Sequence, residues 1–199
     1  MSLTLAQYEA RVLDLLDDVT GLRFTDLQVD AALRTALMFY NRLRPLQRTY
    51  QVDTTGAQVI TLPTDFVASM ITRVQIDIVN PTQMIILPDV MYKASRLDEQ
   101  WVIETTNAIY PLGQVLVVSY VGSHTVDGLD GGAGTTIDND DLLVLGAAGH
   151  ACQSRAISRA ESINMQPGVQ SQLLASAQNY LSLFYNGLRS NTGVVGIAF

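Results

Sequence analysis

The sequence is short of charge. Asp, Glu, Lys and Arg make up only 16% of its 199 residues, against roughly 25% in a typical soluble chain, while hydrophobic residues hold an ordinary 48%. What charge there is leans acidic, with 12 basic against 19 acidic residues and a net charge of -7. That balance argues against a protein that holds nucleic acid mainly by neutralising phosphates, although a local basic patch stays open. Lysine is almost missing: Lys93 is the single one, and the other basic residues are arginines. Cysteine is represented by Cys152 alone, which excludes an internal disulfide framework and a multi-cysteine zinc site and suits a reducing compartment. Long apolar runs are also lacking, since the best one, residues 142–149, is far short of a bilayer span. At the N-terminus Tyr8, Glu9, Arg11, Asp14 and Asp17 interrupt any signal-peptide core. The expectation is a soluble, cytoplasmic chain with no membrane partner. It is apolar enough to offset its ordering entropy and long enough to bury about two thirds of its extended surface.

The order of elements reads helix, helix, a strand-rich middle, helix, helix. Thr4 with Gln7 has the spacing of a capping box, and Tyr8, Val12, Leu15, Leu16 and Val19 follow at helical intervals, with Gly21 as the stop. Thr25 with Gln28 opens a second helix carrying Val29, Leu33, Ala36, Leu37, Tyr40 and Leu43, limited by Pro45. β-Branched runs then take over. Tyr50 and Val52, the turn Thr54-Thr55-Gly56-Ala57 and the return Val59-Ile60-Thr61-Leu62 read as a hairpin. Further strands are expected at 73–79, 84–87, 101–105 and 115–121, punctuated by Asn80-Pro81, Leu87-Pro88 and Tyr110-Pro111.

Gly122, Gly128, Gly131, Gly132 and Gly134 then crowd one stretch, expected to be a flexible, solvated connection. Asp138 or Asn139 caps a third helix with a face of small residues, among them Gly149, Cys152, Ala156 and Ala160. After Gln166-Pro167-Gly168 a fourth helix presents Val169, Leu173, Ala177, Tyr180, Phe184 and Leu188, large enough to fill what the small face leaves open. The expected fold is therefore α+β: a helical bundle made by the N- and C-terminal helix pairs, with an inserted antiparallel β lobe. Its divisions are the first helices at 1–48, the β lobe at 49–121, a flexible glycine-rich loop at 122–137, the last helices at 138–190 and an apolar tail at 191–199.

Tests for chemistry yield little. His150 and Cys152, two residues apart on a helix, point about 200° away from each other and form no local dyad. His124 could meet Cys152 only through the fold, which leaves a ligand-binding or enzymatic site near His124 and Cys152 as an alternative function. No nucleophile elbow, His-Glu-x-x-His or phosphate-binding glycine pattern is present. Asp127, Asp130 and Asp138 do not fit an EF-hand, because Leu129 and Gly131 fall where oxygen ligands are needed. The paired Asp140 and Asp141 are accounted for by the helix dipole. No cofactor, metal or catalytic residue is expected. Arg34, Arg42, Arg44 and Arg48 form the one basic run; it suits a solvated helix end, a subunit interface or contact with DNA in a channel. Sequence-specific DNA reading is disfavoured, since Asp26 and Asp30 occupy the end of the second helix that would enter a groove.

A dispersed pattern adds a family resemblance. It comprises Asp14-Leu15-Leu16-Asp17-Asp18 and Ala36-Leu37-Met38-Phe39-Tyr40 in the helical pair, then Ile60-Thr61-Leu62-Pro63-Thr64-Asp65-Phe66 followed by Ile71-Thr72-Arg73-Val74. Trp101-Val102-Ile103, Tyr110-Pro111, Val117-Val118-Ser119-Tyr120 and the run from Leu142 to Gly149 continue it. In order and spacing these resemble the head-tail connector adaptor, or head completion, proteins of tailed bacteriophages, although residues 122–136 are richer in glycine than that family's pattern. The resemblance implies a non-enzymatic structural protein of the virion neck, made in the host cytoplasm. It would assemble as a homo-oligomeric ring of twelve subunits on the portal, bind the portal protein above and a stopper or tail protein below, and pass viral DNA without sequence-specific binding. It further implies a portal or neighbour contact through the C-terminal segment, here Val194, Val195, Ile197 and Phe199. Another phage tail-completion protein is the neighbouring alternative, less suited to a chain bracketed by helices.

Overall fold

The computed structural model describes residues 3–18, 20–21, 23–54, 56–63, 66, 68, 70–77, 90–98, 100–106, 114–132, 134–160 and 168–190. The chain forms two compact units, one from Met1–Arg44 and His124–Phe199, the other from Pro45–Ser123. The class is α+β, as the sequence pattern predicts, with helices from both chain ends flanking the strands.

The helical unit holds α1 (Leu5–Leu15), α2 (Asp26–Leu43), α3 (Asp140–Ala160) and α4 (Val169–Ser190). The Thr4 amide donates to Gln7 Oε1 at 2.9 Å. At α2 the capping box is reciprocal, with Gln28 N donating to Thr25 Oγ1 and Thr25 N to Gln28 Oε1. α1 stops earlier than Gly21. Asp17 takes a left-handed backbone (φ 53°), and the Asp18 amide reaches back to the Leu13 carbonyl at 2.9 Å, closing the helix end. The buried Asp18 carboxylate then accepts from the amides of Arg23 and Phe24 at 2.8 and 2.7 Å, fixing the turn into α2.

α3 is the central helix. It packs most extensively on α4 and next on α2, and Leu143, Ala147, Ala148, Ala151, Cys152 and Ala156 are all buried. The expected small face is real and very tight. A Cβ on Gly146 would stand 2.9 Å from the Phe184 ring, and one on Gly149 2.7 Å from Leu181 Cγ. The fit is reciprocal, because Leu142 occupies the space a Cβ on Gly187 would need. Tyr8, Val12, Val29, Leu33, Tyr40, Phe184 and Leu188 complete the core from the other helices. Each fully buried Val, Leu or Phe side chain contributes roughly 1.5–3 kcal/mol.

The strand unit contains two antiparallel three-stranded sheets. One has the order β1 (Leu46–Asp53), β6 (Val115–Gly122), β3 (Met70–Asp77); the other β2 (Val59–Thr61), β5 (Gln100–Thr105), β4 (Tyr92–Leu97). Leu116, Val117 and Val118 are buried in succession, so β6 is covered on both faces and makes the natural centre of its sheet. The expected hairpin between the first two strands does not form. β1 pairs with β6 from Leu46↔Gly122 to Asp53↔Val115, whereas β2 pairs with β5. Thr54 extends the first pairing through its amide to Gln114 O, and Thr105 bonds Gln58, so each arm is already committed to a different partner. The tight hairpin lies instead between β4 and β5, at Leu97↔Gln100, with Asp98 left-handed (φ 47°). Ile60, Leu62, Phe66, Val74, Ile103, Leu116 and Val118 form this unit's core, where Phe66 meets Tyr50 and Tyr120 edge-on or tilted. The strand expected at 84–87, residues 78–79, the Asn80-Pro81, Leu87-Pro88 and Tyr110-Pro111 breaks, Val19, Pro167 and the tail fall outside the described residues.

Candidate functional site

The segment joining β6 to α3, expected as a flexible, solvated connection, is tied into the helical unit: Val126 and Leu129 are buried in the helical core, while Gly128, Asp130, Gly131 and Gly134 are exposed. Asp127 forms a parallel bridge with Thr4, and its carbonyl accepts from the Leu5 amide at 2.9 Å. Three threonines do much of the remaining work. Thr136 exchanges bonds with Thr125, Thr125 Oγ1 donates to Gly134 O at 2.8 Å, and Thr135 Oγ1 accepts from Asp127 N and donates to the Leu3 carbonyl. A Cβ on Gly132 would stand 2.6 Å from the Val126 carbonyl oxygen, whereas Gly131 and Gly134 serve backbone shape. Gly131 and Gly134 have φ of 76° and 82°, which only glycine adopts without strain, and nothing lies near enough to crowd a side chain at either position.

His124 opens this segment and is 6% exposed. Its Nδ1 faces the Thr136 carbonyl at 2.8 Å and its Nε2 the Arg44 carbonyl at 3.0 Å, while its ring stands edge-on to Tyr40. Its backbone is held as well, the amide donating to Asn41 Oδ1 at 2.6 Å and the carbonyl accepting from Asn41 Nδ2. Both ring nitrogens and both backbone groups therefore serve the fold.

The acids at the start of α3 are equally occupied. Asn139 Oδ1 accepts from the Leu142 amide at 3.2 Å and caps the helix. Tyr40 donates its phenol to Asp138 and Tyr8 to Asp140. Burial first, and then these carboxylates, raise both phenols well above their ordinary range, so both hydroxyls stay donors. At Asp138 burial opposes ionisation, but the Tyr40 hydroxyl and the Arg44 guanidinium outweigh it and hold the carboxyl below its usual value. Ion pairs Arg44–Asp138 (2.7 Å), Arg34–Asp130 (2.7 Å) and Arg11–Asp141 (3.3 Å) lie around this edge. The Arg11 and Arg34 pairs are exposed and contribute little, whereas Arg44 in the third is largely covered.

The basic run is thus dispersed by the fold. Arg34 and Arg44 pair with acids of the 124–139 segment, Arg42 is exposed in the last turn of α2, and Arg48 lies exposed on β1 in the other unit. The sequence reading extended the helical part to residue 48; Pro45 ends it and strand pairing begins at Leu46. Nor are His124 and Cys152 joined. Cys152 lies on α3, beside Phe24, Arg155 and Tyr180, and burial pushes its thiol up to about 11, an unreactive value at neutral pH. His150 stacks on Phe39 at 5.5 Å. Among the described residues no group of three or more His, Cys, Asp or Glu could hold a metal ion, and no helix is long and apolar enough to cross a membrane. Val194, Val195, Ile197 and Phe199 lie outside the described residues.

What sequence reasoning missed is a surface. The C-terminal half of α3 and the N-terminal half of α2 border an open groove of about 750 Å³ that, among the described residues, is lined by no Asp, Glu, Lys or Arg. Its rims carry Leu27 at 76% and Ile157 at 57% exposure. The signal was present in Leu27 and Ile157, apolar residues placed off the core stripe of each helix.

No protein-family model matches the chain, and no curated protein matches it. Solved structures that align over most of the chain include two from gene transfer agent particles. A chain from the "Virion of native gene transfer agent (GTA) particle" is 15% identical, covering 87% of this chain and 88% of that one, with a TM-score of 0.30. A chain from the "Neck of empty GTA particle computed with C6 symmetry" is 14% identical, covering 90% and 89%, also with a TM-score of 0.30.

Proposed function

We propose that this chain is the structural adaptor subunit of a phage head-tail connector. It forms a ring below the portal, joins the portal to a stopper or tail protein, and leaves a channel for DNA. The observation that carries this reading is the architecture: both chain ends build one helical unit around α3, with an antiparallel strand unit inserted between them. That is the arrangement implied by the ordered sequence pattern running from Asp14-Leu15-Leu16 to the 142–149 stretch. The work is mechanical and electrostatic, because the side chains that could have suggested catalysis, His124 and Cys152, are absorbed by the fold. A ring of copies each carrying -7 disfavours tight retention of DNA and suits its passage.

In this reading Val194, Val195, Ile197 and Phe199 contact the portal or a neighbouring subunit, since an apolar end suits a groove or a sheet edge. Of the basic run, Arg42 and Arg48 are the members available to an interface or the channel wall; Arg34 and Arg44 are engaged within the helical unit. Co-purification with the cognate portal ring, with subunits counted by native mass, tests the proposal. A stoichiometric ring on the portal is expected, and failure to bind the cognate portal overturns it.

A further inference from the structure

Charge decides where two copies of this chain can meet. Each carries -7, and like charges brought together across a contact are repulsive, so self-association is favoured where neither surface is charged. Two such surfaces lie among the described residues of the helical unit. One is the α2–α3 groove, walled by Leu27, Ala31 and Thr35 on one side and His150, Ser154 and Ile157 on the other. The other is α4, which has no Asp, Glu, Lys or Arg from Val169 to Leu188 and exposes Ala175, Asn179, Ser182 and Leu183.

At 1.5 Å per residue the groove wall from Leu27 to Thr35 runs about 12 Å, well within the uncharged length of α4. Ala175 and Ser182 are small enough to let the ridge approach closely, and Leu183, 49% exposed, offers an apolar knob to the Leu27 and Ile157 rims. Both surfaces cover apolar area that the isolated chain leaves in water.

We infer that α4 of one copy docks in the α2–α3 groove of the next. This rests on the reading of the chain as a self-assembling subunit and names the surfaces involved. Groove and ridge are different patches, so the contact is heterologous and repeats from copy to copy, as a ring requires.

Short-range cysteine cross-linking with a bifunctional maleimide at high protein concentration tests it. The native Cys152 is 2% exposed, so introduced thiols are the reactive ones. Mixing Ile157→Cys with Leu183→Cys copies is expected to give linked pairs, while either variant alone links at least tenfold less; the double variant gives a ladder of multimers. No linkage in the mixture, or self-linkage of Ile157→Cys at the mixture's rate, overturns the inference. Ser154→Glu, on an exposed wall of the groove, is expected to weaken self-association at least tenfold while leaving the circular dichroism spectrum and Tm unchanged; unchanged association overturns it. Portal binding is scored separately. A chain that binds the portal without the Ile157–Leu183 link sinks this interface and leaves the adaptor function standing.

Discussion

Glycine is used in two opposite ways within one helical unit. Along the α3–α4 seam Gly146, Gly149 and Gly187 have no side chain because a neighbour occupies the space, Phe184, Leu181 and Leu142 respectively. In the 124–139 segment Gly131 and Gly134 face nothing within 4 Å and are needed for their left-handed backbone. The seam glycines mark a steric boundary, Gly131 and Gly134 a conformational one, and Gly132 between them is steric again, its Cβ position lying 2.6 Å from the Val126 carbonyl oxygen. A glycine-dense stretch therefore says nothing about mobility until its neighbours are known.

The largest effect should come from the anchor that ties the glycine-rich segment into the core. Leu129→Ala removes a buried side chain of the common core and is expected to cost about 2–5 kcal/mol, read from urea unfolding; a loss near zero would show the segment to be the loose connector its composition suggests. Next is the seam. Gly149→Ala should cost roughly 1–3 kcal/mol by overpacking against Leu181, and Leu181→Ala in the same chain should recover part of that loss, giving a measurable coupling in a double-mutant cycle. Gly131→Ala should cost about 1–2 kcal/mol for purely conformational reasons. No second-site truncation should rescue it, whereas Gly131→Asn should be tolerated better. Rescue of both glycines by the same kind of change would erase the distinction.

The smallest effect concerns pH, away from both regions. Glu9 of α1 lies against Asp30 of α2, and burial, the hydrogen bond with Asp30 and the charges of Asp30 and Asp26 push its carboxyl up to about 7. The fold favours the protonated acid. Its contribution is complete below the ordinary glutamate value and is lost as pH rises through about 7, so stability should decline modestly between about pH 5 and 7. Glu9→Gln should flatten that part of the profile in melts taken across the range.

The helices were legible because their signals are local. The Thr25–Gln28 capping box and the stripe from Val29 to Tyr40 lie within one element, and the small face of α3 announced a close partner. The strands were harder. β4, Tyr92-Lys93-Ala94-Ser95-Arg96-Leu97, turns Tyr92 and Ala94 to the core but contains no β-branched residue and exposes Lys93, Ser95 and Arg96, so its strand signal is weak. The false hairpin arose because Thr54 and Gly56 have turn chemistry, while the pairing that won was long-range, to Val115–Gly122. Residues 122–137 misled for a similar reason: Val126 and Leu129 are too few to show a period, and the threonine hydroxyls that hold the segment find partners as distant as Leu3. His124 was noticed as a chemical candidate, but its role depends on Asn41 and Arg44, far away in sequence.

That histidine also bears on how much the inserted part can vary. Residues 45–123 leave the helical unit after Arg44 and return at His124, and these two residues are bonded to each other. The excursion is closed at its root by the helical unit's own contacts, which hold its two ends together. Each doubling of a flexible loop costs about 0.6 kcal/mol. The helical unit thus fixes where the inserted chain leaves and returns, and lengthening that chain by itself adds only a slowly growing closure cost.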